Sequence, residues 1–382
     1  MISTRQIANK KDGVMMMLPR KDRRRMIQGA SALIGGLITP GLRAQDEYGD
    51  SALRGAGSTF VQPLMEAWVG QYRSDPFQVM QFSRGPEGGL GGSLSNDRLD
   101  YEPVGSLAGI QRIRAGSVDF AASEMPLGTE FLRREGLMQF PWVAGGVAVV
   151  ATAFAGSQAA PTLQLDASTL ASIFLGKITS WSDRAIASQN PGVRLPDAPI
   201  AVLHRSDGSG TTFTFSNYLS RNDDDWKQRL GSDLLLKWPV GSGRKGSDAI
   251  VQALKSTPRS IGYVNAVQAR QAGLPIIALR NQAGLYVLPE ARGIAAALEA
   301  PSKGSDDLAR LPIDAPGDAS YPLVATVFGL MKDPIRSTQQ RRAANFVAWT
   351  MTRGARLADR LGYRNLPEAA TKATLDWLGS KA

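Results

Sequence analysis

A dense group of polar residues in the middle of the chain could bind or activate a charged molecule. The stretch RSDGSGTTF, residues 205–213, holds an arginine, an aspartate, several hydroxyl residues and two glycines. Glycine lets the backbone approach a ligand closely, and a helix that begins here leaves unpaired N–H groups facing outward. Such a loop could be a nucleophile turn, a nucleotide-cofactor loop or an anion site.

Two further loops have the same character. GAGSTF, residues 55–60, and VGSLAG, residues 104–109, also combine glycine with Ser or Thr directly before a predicted helix. Helix N-termini attract anions through their free N–H groups and the helix dipole. One such loop is weak evidence, because Ser and Thr are also ordinary helix caps. Three in one chain, one of them with an arginine, favour an anion site.

The other two chemistries fit the residues less well. The nucleophile turn G-x-S-x-G needs glycine where Asp207 and Thr211 flank Ser209, and no segment has the P-loop pattern. GSGRKG, residues 241–246, does match G-x-G-x-x-G between a strand-like LLLKWPV and a helix-like SDAIVQALK. The next strand, IGYV, is followed by Asn265 and not by the acid that a dinucleotide-binding fold places there. We interpret GSGRKG as a glycine-rich turn.

The composition excludes several kinds of site. The 382 residues include no cysteine, which excludes disulfides, thiolate metal sites, cysteine nucleophiles and a lipid-modified N-terminal cysteine. His204 is the only histidine, so neither a multi-histidine metal centre nor a Ser-His-Asp triad with a spare base is expected. We expect no metal and no cofactor.

The net charge of +10 is concentrated at the N-terminus. Residues 1–44 contain nine Lys or Arg and two acids, which leaves 35 basic and 32 acidic residues in the rest of the chain. The body of the protein is therefore not expected to bind nucleic acid. A basic cluster with Arg23, Arg24 and Arg25, then a weakly apolar run, then Ala44 resembles a twin-arginine export signal. We expect export to the periplasm as a soluble protein without a lipid anchor.

Short β-like runs alternate with helical patterns after this segment. In VQPLMEAWVGQYRS the apolar residues Leu64, Trp68 and Tyr72 recur at four-residue spacing, which predicts an amphipathic helix. MQFPWVAGGVAVVATAF is typical of a buried strand, and the glycine-rich stretch from Ser83 to Asp100 is typical of a surface insertion. The alternation predicts an α/β protein with mostly parallel sheets.

Several of these motifs together resemble a known family. GAGSTF, SVDFAASEMPL, LGKITSWSDRAIASQNPG, LHRSDGSGTTFTFSNYLS, LKWPVGSGRKGSDAI and IGYV are similar to the periplasmic phosphate-binding proteins of ABC phosphate transporters. The resemblance implies a type II periplasmic-binding-protein fold, in which two α/β lobes joined by a hinge close over one phosphate. It implies a first lobe from residues 45–152 and 321–382 and a second lobe from residues 153–320, after the export signal.

The resemblance also implies the ligand contacts, which are Thr59, Phe60 through its N–H, Ser106, Arg205, Ser209, Gly210 and Thr211. Asp207 would hold the Arg205 guanidinium without touching the ligand. The family usually has Asp where this chain has Glu124, the residue that accepts the proton that phosphate carries near neutral pH. Sulfate has no such proton, so a buried carboxylate would repel it. The additional methylene of Glu124 makes arsenate or another protonated tetrahedral oxyanion a closer alternative to phosphate.

The function implied by the resemblance is high-affinity binding of inorganic phosphate and its delivery to the membrane permease of an ABC importer. An extracytoplasmic phosphate or arsenate sensor would use the same binding chemistry. A phosphatase with the same anion site is a weaker alternative, because the chain has no cysteine, a single histidine and no clear group of metal ligands. No dimerisation motif is evident, and we expect a monomer.

Overall fold

The computed structural model describes residues 52–75, 99–154, 161–300 and 311–381. The predicted export signal at residues 1–44 and most of the predicted insertion from Ser83 to Asp100 lie outside these ranges. Within them, no helix combines the length and the apolar character needed to cross a membrane.

The strands of the described residues form two sheets. They are β1 (Leu53–Gly57), β2 (Leu99–Glu102), β3 (Phe120–Ser123), β4 (Leu137–Ala151), β5 (Gln164–Leu165), β6 (Ala201–Arg205), β7 (Ser242–Arg244), β8 (Ser260–Asn265), β9 (Ala278–Arg280), β10 (Tyr286–Val287) and β11 (Val324–Lys332). Eight of them form one sheet in the order β2-β1-β3-β11-β4-β8-β6-β7, and three form a small sheet in the order β10-β9-β5.

Helices connect most of these strands. In the described ranges they are α1 (Gln62–Ser74), α2 (Ser106–Arg114), α3 (Thr129–Glu135), α4 (Ala167–Phe174), α5 (Arg184–Gln189), α6 (Gly210–Asn222), α7 (Asp224–Arg229), α8 (Ser247–Ser256), α9 (Ala266–Gln271), α10 (Ala291–Glu299), α11 (Thr338–Met351), α12 (Ala355–Leu361) and α13 (Glu368–Lys381). The predicted α/β class is confirmed.

The two ends of the large sheet are parallel and its centre is antiparallel. β1 runs parallel to β2 and β3, and β6 runs parallel to β7 and β8. In the centre, β4 pairs antiparallel with β11 along its first part and with β8 along its last five residues. The prediction of mostly parallel sheets is therefore wrong at the centre. β4 is the predicted buried strand, and a continuous apolar run does not reveal the direction of its neighbours.

The predicted amphipathic helix is α1. Its residues Leu64, Trp68 and Tyr72 are all buried, as their spacing predicts. Trp68 stacks on Trp142 of β4 with ring centroids 5.5 Å apart, and Tyr72 meets Phe346 of α11 edge to face at 5.1 Å. These contacts fix the start of α1, which directly follows the first glycine loop.

One expected strand is absent from the described residues. LLLKWPV, residues 234–240, is irregular, and β7 begins only at Ser242, inside the glycine-rich turn. Two of its apolar side chains make separate packing contacts: Leu234 is buried, and Trp238 stacks on His204 with ring centroids 4.7 Å apart. A short apolar run can therefore supply core contacts without the alternation or hydrogen bonds of a strand.

Candidate functional site

The candidate site lies where the loops after several parallel strands meet. Ser58, Ser106 and Glu124 follow β1, β2 and β3, which lie side by side. Arg205 ends β6, and Ser247 begins α8 just after the adjacent strand β7. In open α/β sheets, ligands bind outside the carboxyl ends of the strands. The two sets of loops belong to opposite ends of the sheet and are joined here by hydrogen bonds.

Ser58, Ser106 and Glu124 form the first part of the site, which we name the carboxyl cluster. The Glu124 side chain is 1% exposed and accepts hydrogen bonds from Ser58 Oγ at Oε1 and from Ser106 Oγ at Oε2, the latter at 2.9 Å. Tyr101 Oη supports this part by donating to the Ser58 carbonyl oxygen at 2.9 Å. Glu124 is therefore a buried, doubly hydrogen-bonded residue and does not face solvent.

Burial raises the pKa of Glu124 above its usual value, because desolvation disfavours the ionised carboxylate. The hydrogen bonds from Ser58 and Ser106 and the charge of Arg205 lower this pKa but do not reverse the rise. A carboxylate with a raised pKa is a stronger base than an exposed one. Glu124 is thereby suited to accept a hydrogen bond from a protonated ligand.

Arg205, Asp207 and Ser247 form the second part, which we name the guanidinium cluster. Arg205 is 2% exposed; its Nε donates to Asp207 Oδ1 at 2.7 Å and its Nη2 donates to Oδ2. On the other side of the guanidinium, Nη1 donates to Thr59 Oγ1 at 3.0 Å and to Ser247 Oγ at 3.3 Å. The two-pronged contact with Asp207 fixes the guanidinium plane.

The pKa of Asp207 is shifted in the opposite direction to that of Glu124. Burial acts to raise the pKa of Asp207, but the hydrogen bonds and charge of Arg205 and the N–H of Gly246 together lower it. Asp207 is therefore ionised at neutral pH and offsets the charge of Arg205.

The start of α6 completes the site. Ser209 caps this helix by accepting the Thr212 N–H at 3.2 Å, which leaves the Ser209 hydroxyl proton free to donate elsewhere. The Gly210 N–H donates to Ser106 Oγ at 3.1 Å, so α6 is tied to the carboxyl cluster. A side chain at Gly210 has no room, because a Cβ there would overlap Glu124 Oε2.

The structure brings the predicted site residues together. All residues predicted to contact the ligand are buried, namely Thr59, Phe60, Ser106, Glu124, Arg205, Ser209, Gly210 and Thr211. The Phe60 N–H, predicted to face the ligand, donates to Ser58 Oγ at 3.0 Å, and the Phe60 carbonyl oxygen accepts from Asn265 Nδ2 at 2.8 Å. Contact between these residues and a ligand stays a prediction.

Two residues of the site, Ser58 and Ser247, were not predicted from the sequence. Ser58 lies inside the GAGSTF loop that was singled out, beside the residues that were named. Ser247 follows Gly246 at the start of α8, in the order glycine, hydroxyl residue, helix. The same order marks the three loops that were recognised, so that signal could have identified a fourth.

His204 lies outside the network. Its ring stacks on Trp238, and its Nδ1 lies 3.0 Å from the Arg205 carbonyl oxygen. Burial lowers the pKa of His204, so the ring is neutral at pH 7. Among the residues that the structure describes, no group of three or more His, Asp or Glu could hold a metal ion.

The arrangement is suited to bind an anion that still carries a proton. The Arg205 guanidinium and the hydroxyls of Thr59 and Ser209 can donate hydrogen bonds to anionic oxygens. Glu124, when ionised, can only accept, so it matches an O–H on the ligand. A tetrahedral oxyanion with one or two protons meets both requirements.

Solved structures share this fold. A phosphate ABC transporter substrate-binding protein from Clostridium perfringens, described with bound phosphate, superposes with a TM-score of 0.57 at 17% identity and covers 83% of this chain and 100% of its own. A phosphate-binding protein from Stenotrophomonas maltophilia gives a TM-score of 0.61 at 17% identity, over 85% of this chain and 93% of its own. The fold is the type II periplasmic-binding-protein fold that the sequence motifs predicted.

Sequence comparison is more specific. A family model described as a PBP superfamily domain matches residues 43–353. The phosphate-binding protein PstS of Xylella fastidiosa strain 9a5c is 37% identical over 322 residues, which are 84% of this chain and 83% of that protein. PstS of Pasteurella multocida is 35% identical over 318 residues, 83% of this chain and 86% of that protein. The chain belongs to the PstS family of phosphate-binding proteins within the PBP superfamily.

Proposed function

We propose that this protein binds inorganic phosphate outside the cytoplasm and delivers it to the membrane permease of an ABC importer. The observation that carries the proposal is that Arg205 and Glu124 are buried in one hydrogen-bonded site. The cation and the surrounding hydroxyls favour an anion, while the carboxylate favours an anion with a proton. The relatives from Xylella and Pasteurella, named as phosphate-binding proteins, support the same ligand.

In this proposal phosphate takes hydrogen bonds from donors on both parts of the site. The donors are the hydroxyls of Thr59, Ser106, Ser209 and Thr211, the N–H groups of Phe60 and Gly210, and the Arg205 guanidinium. The ligand would replace the partners to which the Ser106 hydroxyl and the N–H groups of Phe60 and Gly210 now donate within the site. Asp207 already offsets the charge of Arg205, so formal charges do not neutralise the ligand. The dipoles at the starts of α1, α2 and α6 supply the remaining stabilisation.

The finer parts of the proposal concern location and assembly. An export signal at residues 1–44 would direct the protein to the periplasm, where it acts as a monomer. Residues 45–152 and 321–382 would form one lobe and residues 153–320 the other. A ligand held by both lobes favours the closed arrangement, which the permease would recognise.

The proposal concerns binding and not catalysis. A phosphatase with the same site would need a nucleophile, a base or a metal, and the one histidine stacks on Trp238. Incubation of the pure protein with p-nitrophenyl phosphate tests this alternative. Release of p-nitrophenol above the background rate, and its loss in an Arg205→Ala variant, would favour an enzyme.

The direct test is calorimetric titration of refolded, phosphate-stripped protein at neutral pH with phosphate, arsenate and sulfate. We expect tight binding of phosphate, measurable binding of arsenate and no heat from sulfate. Absence of binding heat on titration with phosphate would contradict the proposed ligand. Strong binding of sulfate would contradict the role of Glu124 as the acceptor of a ligand proton.

Arg205 supplies the strongest single-residue test of this site. Arg205→Ala removes the one cation of the network and should weaken phosphate binding by about 2 kcal/mol or more, which is about thirtyfold. The matched control is Arg229→Ala on α7, whose side chain is 58% exposed and pairs with Asp225. Titration of both variants with phosphate should separate them. Equal affinity in the wild type and Arg205→Ala would contradict the assigned site.

A further inference from the structure

The start of α8 contributes a hydroxyl to the site that neither the motifs nor the family resemblance assigned. Ser247 is the first residue of α8 and is 2% exposed. Its Oγ lies 2.7 Å from Thr59 Oγ1 and accepts a hydrogen bond from Arg205 Nη1 at 3.3 Å. Gly246 precedes it with φ +82 and donates its N–H to Asp207 Oδ1 at 3.0 Å. Both residues of this turn therefore contact the guanidinium cluster.

The chemistry of the three groups fixes the direction of the two hydrogen bonds from Arg205, whereas either hydroxyl can donate in the contact between Ser247 and Thr59. A guanidinium can only donate, so Ser247 Oγ accepts from Arg205 and its own proton is available for Thr59 Oγ1. Thr59 Oγ1 also accepts from Arg205 Nη1 at 3.0 Å. When Ser247 is the donor, the Thr59 oxygen accepts two hydrogen bonds and its own proton is left to donate to a third group.

We propose that Ser247 is a positioning residue for phosphate: it turns the Thr59 hydroxyl into a hydrogen-bond donor that faces the ligand. The proposal rests on the proposed function, because it assumes that the anion bound beside Thr59 is phosphate. The chain of donors runs from Arg205 through Ser247 to Thr59 and then to the anion. Each hydrogen bond in such a chain polarises the next, so the Thr59 donor becomes stronger.

The chain also links the two ends of the large sheet. Thr59 follows β1, whereas Arg205 ends β6 and Ser247 follows β7. An anion that accepts a hydrogen bond from the Thr59 hydroxyl therefore strengthens contacts between elements that belong to different parts of the fold. Loss of the Ser247 hydroxyl should weaken phosphate binding without removing a residue that contacts the phosphate itself.

The test compares variants of similar shape by calorimetric titration with inorganic phosphate. Ser247→Thr keeps the hydroxyl and Ser247→Val replaces it by a methyl group of nearly the same size. We expect Ser247→Val to bind phosphate about tenfold more weakly than Ser247→Thr, the low end for a hydrogen bond within a charged network. Because the two side chains have the same branching, a packing defect at the helix start would affect both alike.

A matched control removes a buried serine hydroxyl elsewhere. Ser260 of β8 is fully buried, and its Oγ lies 2.9 Å from Thr152 Oγ1, so it forms a Ser–Thr pair like that of Ser247 and Thr59. Ser260→Ala should leave the phosphate affinity unchanged while it lowers thermal stability. A similar loss of affinity in Ser260→Ala would indicate that any buried defect weakens binding, and would overturn the specific role of Ser247.

A double-mutant cycle identifies the partner of Ser247. In a Thr59→Val background the difference in phosphate affinity between Ser247→Thr and Ser247→Val should become smaller, because the hydroxyl that Ser247 orients is gone and only its contact with Arg205 remains. In a Ser106→Ala background the tenfold difference should persist, because Ser106 hydrogen-bonds Glu124 and Gly210 and not Ser247. Equal affinities of Ser247→Thr and Ser247→Val in wild-type background would overturn the inference while leaving phosphate binding intact. Absence of phosphate binding by the wild type would instead overturn the proposed function, and this inference with it.

Discussion

The carboxyl cluster and the guanidinium cluster are similarly buried but hold their charges in opposite ways. Glu124 is surrounded by hydroxyl partners, and burial raises its pKa. Asp207 has a guanidinium partner, which outweighs burial and lowers its pKa. The comparison shows that the partner, and not burial alone, decides the direction in which the pKa of a buried carboxyl group shifts.

The difference divides two tasks between the two parts of the site. The guanidinium cluster is internally paired and keeps its charges at neutral pH, so its geometry is fixed before a ligand arrives. The carboxyl cluster contains a carboxyl group whose raised pKa makes it a better proton acceptor than an exposed one. A site that must recognise the proton on an anion needs one part of each kind.

The largest expected effect comes from breaking the internal pair of the guanidinium cluster. Asp207→Asn leaves Arg205 as a buried cation without its carboxylate, and the loss of one partner of a buried pair costs about 3–5 kcal/mol. Asp207 retains 10% side-chain exposure, so we expect about 3 kcal/mol less free energy of unfolding, measured by denaturant titration without phosphate.

An exposed pair provides the control for this change. Lys372 and Asp376 on α13 form an ion pair at 2.6 Å, with side chains 71% and 65% exposed. Asp376→Asn should change the free energy of unfolding by less than about 0.5 kcal/mol. If Asp207→Asn were no more destabilising than Asp376→Asn, the guanidinium cluster would not be an internally compensated unit.

Local patterns predicted an individual helix better than they predicted the sheet. The spacing of Leu64, Trp68 and Tyr72 was sufficient for α1, because one helix face shows its burial directly in the sequence. The antiparallel pairing of β4 with β11 joins residues about 180 positions apart, for example Val324 with Gly146, and no local pattern encodes it. Long-range pairing depends on the path of the whole chain.

The contacts within the site show the same difference between local and long-range information. The ion pair of Arg205 with Asp207, which the family resemblance implied, lies within one short loop. Ser247 contacts Thr59 across 188 positions of sequence. Its glycine-hydroxyl-helix order is present in the sequence, but that order alone does not show that α8 begins beside Thr59. The missing information was again which separate loops meet.

The next largest effect is expected where the start of α6 contacts the carboxyl cluster. Gly210→Ala places a Cβ where Glu124 Oε2 now lies, and 2.6 Å from Ser106 Oγ. Glu124 or the start of α6 must move, so we expect at least a tenfold loss of phosphate affinity by calorimetry, about 1.4 kcal/mol.

Gly70 in α1 is the matched control for this glycine. A Cβ at Gly70 would have no neighbour within 4 Å, and alanine is the better helix former, so Gly70→Ala should leave binding unchanged and slightly raise stability. Wild-type affinity in Gly210→Ala would mean that the carboxyl cluster tolerates displacement and does not need contact with α6.

The smallest expected effect is a gain of stability on neutralising the carboxyl cluster. In Glu124 the folded-state pKa is raised, so the folded protein binds more protons than the unfolded chain above about pH 4.5. The free energy of unfolding of the wild type should therefore fall as the pH rises through the raised pKa. Glu124→Gln lacks this contribution, so its free energy of unfolding relative to the wild type should be higher at pH 8 than near pH 4. Glu66→Gln, on the exposed face of α1, is the control for the loss of one negative charge.

The same variant tests what the carboxylate does to the ligand. The amide introduced by Glu124→Gln can donate as well as accept, so the repulsion that an ionised carboxylate exerts on a fully deprotonated anion disappears. Glu124→Gln should then show sulfate binding in a competition titration at neutral pH, whereas the wild type should not. A variant that is more stable at pH 8 yet still ignores sulfate would separate the two properties: the raised pKa would be a cost of burial, and discrimination would lie in the hydroxyls of the site.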